Sequence, residues 1–169
     1  NIKDLKVIEP NVNYDSRGYF FESYNEDIYK EYIGKVKFVQ DNESESSFGV
    51  LRGLHFQKSP YSQAKLVRVL RGEIQDVAVD LRKDSNTYLK YFSINLTEKN
   101  KKQLYIPEGF AHGFLVLSKT ALVCYKVNCF YNKDFESGIK FNDPTINIKW
   151  NLSDKEIILS DKDQKLEYL

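Results

Sequence analysis

Apolar and polar residues alternate one for one in a series of short segments along this chain. Phe92-Ser93-Ile94-Asn95-Leu96 and Asp76-Val77-Ala78-Val79-Asp80-Leu81-Arg82 are clean examples. A period of two puts every second side chain on one face of a strand, so each segment predicts a half-buried β-strand. Lys65-Leu66-Val67-Arg68-Val69-Leu70 runs through Arg71-Gly72-Glu73 into Ile74, which reads as strand, tight turn, strand. Leu104-Tyr105-Ile106, Gly113-Phe114-Leu115-Val116-Leu117 and Ala121-Leu122-Val123-Cys124-Tyr125-Lys126-Val127 extend the series. Many short strands separated by turns predict an all-β sandwich or barrel.

Helical signals are few. Asn25 is a capping residue, Glu26 and Asp27 fill a first turn, Ile28, Tyr32 and Ile33 share a face, and Gly34 stops the run. A second short turn is expected from Ser153, with Asp154 and Glu156 after it. The tail after Asp161 is polar, and reads as loose unless one of its residues has a task. Neither linker, repeat nor low-complexity stretch divides the chain, so residues 1–169 are expected to form a single domain.

Composition supports this picture and narrows the chemistry. Twelve Tyr and 11 Phe suit pleated, half-buried surfaces. With 25 Lys and Arg against 24 Asp and Glu, the chain has no global field for nucleic acid or anionic lipid. Its apolar runs are far shorter than the ~20 residues of a membrane span. The first residues lack an apolar secretory core, so a soluble cytoplasmic protein is expected. Cys124 and Cys129 read as buried reduced thiols. Neither a dinucleotide-binding glycine motif nor a P-loop occurs. There is also no His-x-His pair, so no metal and no cofactor are expected.

Chemistry concentrates in two segments. Arg52-Gly53-Leu54-His55-Phe56-Gln57 holds one of two histidines, and Ile106-Pro107-Glu108-Gly109-Phe110-Ala111-His112-Gly113-Phe114 holds the other. A histidine takes and returns protons near neutral pH, and an arginine beside it offers a fork for phosphate. One conflict follows. In an unbroken strand Arg52 and His55 would point to opposite faces, because their separation is odd. Gly53 between them permits a bulge that restores a common face; alternatively, Arg52 serves from a loop before the strand.

These segments, with Asp15-Ser16-Arg17-Gly18-Tyr19-Phe20-Phe21-Glu22, Phe38-Val39-Gln40-Asp41-Asn42, Lys65-Leu66-Val67-Arg68, Tyr125-Lys126, Asn142-Asp143-Pro144 and Leu159-Ser160-Asp161-Lys162-Asp163, resemble the dTDP-4-dehydrorhamnose 3,5-epimerases. The resemblance covers about Val7 to Asp163 and implies a cupin-type jelly-roll β-sandwich with a few short helices. It implies a homodimer, with the N-terminal segment exchanged between subunits so that Arg17 and Glu22 reach the neighbour's site. The implied reaction inverts C3 and C5 of dTDP-4-keto-6-deoxy-D-glucose, giving dTDP-4-keto-L-rhamnose, by proton removal and return beside the C4 ketone.

By the same resemblance His55 is the base, Asp163 its carboxylate partner, Tyr125 the proton donor and Lys65 the cation at the C4 oxygen. Arg17, Arg52 and His112 would hold sugar and diphosphate. Glu22, Gln40, Asp41, Asn42, Glu136 and Lys162 match further nucleotide contacts, and Tyr131 the aromatic that stacks on thymine. Without the resemblance, Lys65 reads as an edge-strand lysine, Tyr125 as core and Asp163 as tail polarity. Phe130 stands where the family often has tyrosine, and Ala64 where glycine is common. Two rivals share the scaffold: a 3-epimerase, or a 3,5-epimerase of a GDP- or CDP-linked ketosugar. A non-catalytic cupin that binds a sugar nucleotide is the alternative from another class.

Overall fold

The computed structural model describes residues 2–169. The strands are β1 (Lys6–Ile8), β2 (Asn13–Asp15), β3 (Gly18–Phe20), β4 (Gln40–Ser47), β5 (Leu51–Gln57), β6 (Lys65–Arg71), β7 (Glu73–Asp80), β8 (Tyr91–Thr97), β9 (Gln103–Ile106), β10 (Phe110–Val116), β11 (Thr120–Val127) and β12 (Glu136–Gly138). Two α-helices, α1 (Glu26–Ile33) and α2 (Asp161–Gln164), and a single 3-10 turn (Lys133–Phe135) complete the set among the described residues. All strand pairs are antiparallel; they build two five-stranded sheets, ordered β1-β9-β6-β11-β4 and β12-β5-β10-β7-β8, and a separate β2–β3 hairpin. From β4 to β12 every consecutive pair except the β7–β8 hairpin crosses between the sheets, as in a jelly roll. The expected sandwich is therefore present.

Alternation assigns each strand two faces. Val67 and Val69 on β6, Val123 on β11 and Leu104 and Ile106 on β9 point inward, against Ile74, Ala78, Leu96, Phe110, Phe114 and Val116 of the facing sheet. Outside the second sheet, Leu54, Val77, Val79 and Ala111 are covered by Ile139, Ile146 and Ile148 of the C-terminal segment. Outside the first, Leu66 and Tyr105 are covered by Tyr29 of α1.

Sequence expectations are refined in several places. Asn25 caps α1 by accepting from the Asp27 and Ile28 amides, and Gly34 ends it with a φ of 75°. The buried face of α1 is nevertheless Tyr29 and Ile33, while Ile28 and Tyr32 are exposed, because the helix lies over Ala64, Leu66 and Tyr105. β7 ends at Asp80 rather than Arg82, since the Asp80 carboxylate accepts from the Arg82 amide and from Ser85 and Thr87. Residues 154–156 form only a turn, closed by Ser153 on the Glu156 carboxylate. Cys124 and Cys129 are free but only half-buried. The tail is pinned. Leu51 N–H donates to Ile158 O and Ile158 N–H to Gly49 O, which leads the chain into α2 against β5. No helix of the described residues is long and apolar enough to cross a membrane.

Candidate active site

One cleft opens at the end of the sandwich and has two lobes. The first, about 290 Å³, is lined by Gln40, Asn42, His55, Gln57, Tyr131 and Glu136, among others. The second, about 500 Å³, is lined by Ser44, Arg52, His112, Ser160, Lys162 and Asp163, among others. His55, Lys65 and Tyr125 belong to both lobes and mark where they meet.

A bulge in β5 makes this convergence possible. His112 of β10 pairs with His55, but Phe114 pairs with Arg52, so two steps on β10 face three on β5. The extra residue flips the pleat, and Arg52 and His55 face the same cleft. Gly53 carries the deviation with a φ of 130°, and a Cβ there would lie 2.5 Å from the Gly113 Cα. The sequence conflict is thus resolved by the bulge, with Arg52 inside the strand. Its guanidinium is held by Ser46 Oγ, 2.9 Å from Nε.

His55 Nε2 lies 2.6 Å from Asp163 Oδ1. Asp163 is only 4% exposed, at the start of α2, where Ser160 caps the helix by accepting from the Asp163 amide. The Gly53 amide approaches Asp163 Oδ2 at 3.4 Å. Burial pushes the Asp163 carboxyl up, but the hydrogen bonds from His55, Gly53 and Ser160 outweigh it and hold it below the usual range. A carboxylate only accepts, so the shared proton sits on His55 Nε2 and Nδ1 is left free.

Lys65 is 9% exposed and forms no ion pair among the described residues. Burial lowers its ammonium to about 8, against the opposing pull of Asp76 and Glu136. Its Nζ lies 6.0 Å from the centre of the Tyr125 ring. Burial raises the Tyr125 phenol, which therefore keeps its proton at neutral pH. On the opposite wall His112 Nε2 lies 2.7 Å from Asp76 Oδ1. Burial depresses the His112 imidazole despite that carboxylate.

At the other lobe, Tyr131 OH donates to Glu136 Oε2 at 2.8 Å, and Lys162 pairs with the other Glu136 oxygen. Phe130 and Tyr131 project with more than half their surface exposed. Gln57 fixes the loop that bears them by donating to Tyr61 O and accepting from the Asn132 amide. Gln40 and Asn42, two residues apart, share the inner face of β4.

Three residues expected in the site lie elsewhere in this chain. Asp41 falls on the opposite face of β4, between Gln40 and Asn42, and pairs with Lys126 at 2.8 Å. Arg17 is exposed on the β2–β3 hairpin and pairs with Asp15. Glu22 lines a separate groove with Phe20, Ile28 and Tyr32. Conversely, Asp76, Ser44, Gln57 and Gln63 belong to the site or its wall and were not singled out from sequence. For Asp76 the alternation misled: it assigned Asp76 to a polar row with Asp80 and Arg82, whereas the structure turns that row inward, between Ile74 and Ala78.

Comparison with known proteins agrees with this geometry. The family model for dTDP-4-dehydrorhamnose 3,5-epimerase matches residues 1–169. The Shigella flexneri dTDP-4-dehydrorhamnose 3,5-epimerase is 54% identical, over 96% of this chain and 89% of its own length. A crystal structure of the enzyme of that name from Elizabethkingia anophelis superposes with a TM-score of 0.95 at 51% identity, covering 99% of this chain and 92% of that one. The Legionella pneumophila dTDP-6-deoxy-D-glucose-3,5-epimerase, solved in complex with dTDP-4-keto-L-rhamnose, gives 0.95 at 46% identity, covering 99% and 88%. Matched from end to end at such identities, this chain belongs to the dTDP-4-dehydrorhamnose 3,5-epimerase family.

Proposed function

We propose that the protein inverts C3 and C5 of dTDP-4-keto-6-deoxy-D-glucose, giving dTDP-4-keto-L-rhamnose. The observation that carries this reading is the convergence of the His55–Asp163 pair, Lys65 and Tyr125 on the junction of one two-lobed cleft. His55 Nδ1 takes the proton from a carbon beside the C4 ketone, and the C–H electron pair moves into an enolate. Asp163 holds the ring's tautomer and stabilises the imidazolium. Lys65 supplies positive charge to the C4 oxygen as it becomes anionic, in a wall where burial strengthens the interaction. The Tyr125 O–H returns a proton from the other face and recovers its own from solvent. The sequence at C3 and at C5 is the same, and no electron leaves the sugar.

The dTDP portion extends along the lobe of Gln40, Asn42, Tyr131 and Glu136, whose carboxylate is paired with Lys162 of the neighbouring lobe, with the thymine on the exposed Tyr131 ring. Arg52 and His112 hold the sugar end. The protein acts as a homodimer: among the described residues the β2–β3 hairpin pairs with no other strand, and it exposes Tyr14, Tyr19 and Phe20. Seated on a second copy, it would carry Arg17 and Glu22 to that copy's cleft. A charged dTDP-sugar stays where nucleotides are made, which supports a cytoplasmic location.

The test is NMR of dTDP-4-keto-6-deoxy-D-glucose with the protein in deuterated buffer. Deuterium should enter at both C3 and C5 faster than in a protein-free control. Entry at C3 alone would reduce the activity to a single epimerisation, and entry at neither would sink the proposal.

A further inference from the structure

Three polar side chains occupy positions between the sheets where their strands otherwise present hydrocarbon. Asp76 lies in the inward row of β7 between Ile74 and Ala78, and His112 in that of β10 between Phe110 and Phe114. Lys65 begins the inward row of β6 that continues with Val67 and Val69. The Asp76 side chain is 0% exposed and that of His112 6%. Taking such groups out of water costs several kcal/mol per ion unless they are fully paired. Here they are not. Asp76 gives one oxygen to His112, and its Oδ2 is sealed from solvent without a hydrogen-bond partner among the described residues. Hydrophobic residues would stabilise this fold better, so the cluster serves another end.

His112 and Lys65 line the cleft, whereas Asp76 stands behind them. We infer that Asp76 is a positioning residue of the reaction: its buried carboxylate is the fixed counter-charge that keeps Lys65 cationic and holds His112 with its proton on Nε2. The inference rests on the role proposed for Lys65. Distance matters to the design. A carboxylate in direct contact with the ammonium would occupy the donors that the C4 oxygen needs. One bonded to His112 instead supplies the field and leaves the Lys65 protons free.

Other charged or titratable groups face Lys65. Glu136 on β12 helps to hold its charge, but that carboxylate is engaged by Lys162 and Tyr131. Asp163 on α2 is engaged by His55 and the Gly53 amide, Lys162 beside it is cationic, and His55 and Arg52 on β5, His112 on β10 and Tyr125 on β11 supply no fixed negative charge at neutral pH. Asp76 is therefore the acidic neighbour that no other cation neutralises.

The test is Asp76→Asn, which keeps the shape and removes the charge. In the parent enzyme turnover should fall as pH rises through the Lys65 value of about 8. In the variant this alkaline limb should move to lower pH by on the order of one unit. At pH 7.5, kcat should fall while KM stays close to the parent value, and lowering the pH toward 6.5 should recover part of the loss. Asp76→Glu should restore the limb. An equal loss of kcat at every pH would reduce Asp76 to a structural partner of His112.

Lysine-selective NMR reads the titration of Lys65 in the same variant without reference to activity. An unmoved titration would overturn the inference and leave the epimerase reading intact. A moved titration with unchanged turnover would instead remove Lys65, and Asp76 with it, from the chemistry. If the asparagine variant fails to fold, the parent protein still answers the question. The carboxyl ¹³C signal of Asp76 should show a step at the pH where Lys65 titrates; a flat signal there would overturn the coupling.

Discussion

Lys65→Met should make the protein more stable and inactive. The buried ammonium falls from its ordinary 10.5 to about 8. At ~1.4 kcal/mol for each pH unit, holding that charge in the folded state costs about 3 kcal/mol at pH 7. Methionine matches the length of the stem and removes the charge. The net shift already includes the pull of Asp76 and Glu136, and imperfect packing of the new side chain takes part of the gain, so roughly 1–3 kcal/mol of extra stability is expected. The sign of the pH dependence is distinctive. Below about pH 8 both folded and unfolded parent carry the proton, and the full penalty stands. Between about 8 and 10.5 the folded parent sheds its proton before the unfolded chain does, so its stability rises toward that of the variant. Urea titrations at pH 7 and pH 10, at one fixed protein concentration, measure both differences. A variant less stable than the parent by the same amount at both pH values would refute the reasoning, since Lys65 would then be a packed stem rather than a desolvated charge.

His55→Asn should lower turnover by ~10²–10⁴-fold, the range for a positioned general base, while dTDP binding measured by calorimetry survives. Tyr125→Phe should leave stability nearly unchanged and permit solvent deuterium exchange from the His55 side, with slow inversion or arrest after one centre by NMR; double inversion at the parent rate would remove the tyrosine from the mechanism. Gly53→Ala should destabilise the fold by ~1–3 kcal/mol, because a Cβ at a φ of 130° meets the Gly113 Cα at 2.5 Å and His112 O at 2.8 Å. Because the bulge aims both Arg52 and His55, its loss of kcat/KM should exceed what its thermal midpoint explains; a variant with the parent's midpoint and activity would mean that the bulge is not needed.

How much of this was legible in sequence depends on what each strand buries. β8 and β11 alternate because one face packs into hydrocarbon, and they could be read directly, whereas β7 is buried on both faces, under the opposite sheet and under the C-terminal segment. β4 could not be read so. Gln40-Asp41-Asn42-Glu43-Ser44-Glu45-Ser46-Ser47 contains no apolar residue, yet it pairs with β11 over its whole length. Its period of two survives as burial, with Gln40, Asn42, Ser44 and Ser46 toward the cleft and sandwich interior and Asp41, Glu43, Glu45 and Ser47 toward water. A hydropathy pattern separates hydrocarbon from water, but a wall built to hold a polar ligand is polar on both sides. The same blindness hid Asp41's orientation, since only the pleat tells it from its neighbours Gln40 and Asn42.

The His55–Asp163 pair was hidden for a different reason. His55 and Asp163 meet through the parallel bridge of Val50 with Ile158 and through the Ser160 cap, contacts that no local pattern encodes. Family resemblance supplied that long-range pairing, and the structure supplies its cause. Asp76 shows what only the orientation of a strand can recover. An acidic residue between Ile74 and Ala78 interrupts the hydrocarbon that this face of β7 turns toward the opposite sheet. A fold selected for stability alone would have replaced it. Within a site such interruptions carry the chemistry, so the polar residues that a strand turns toward hydrocarbon are where a reading of the site should look first.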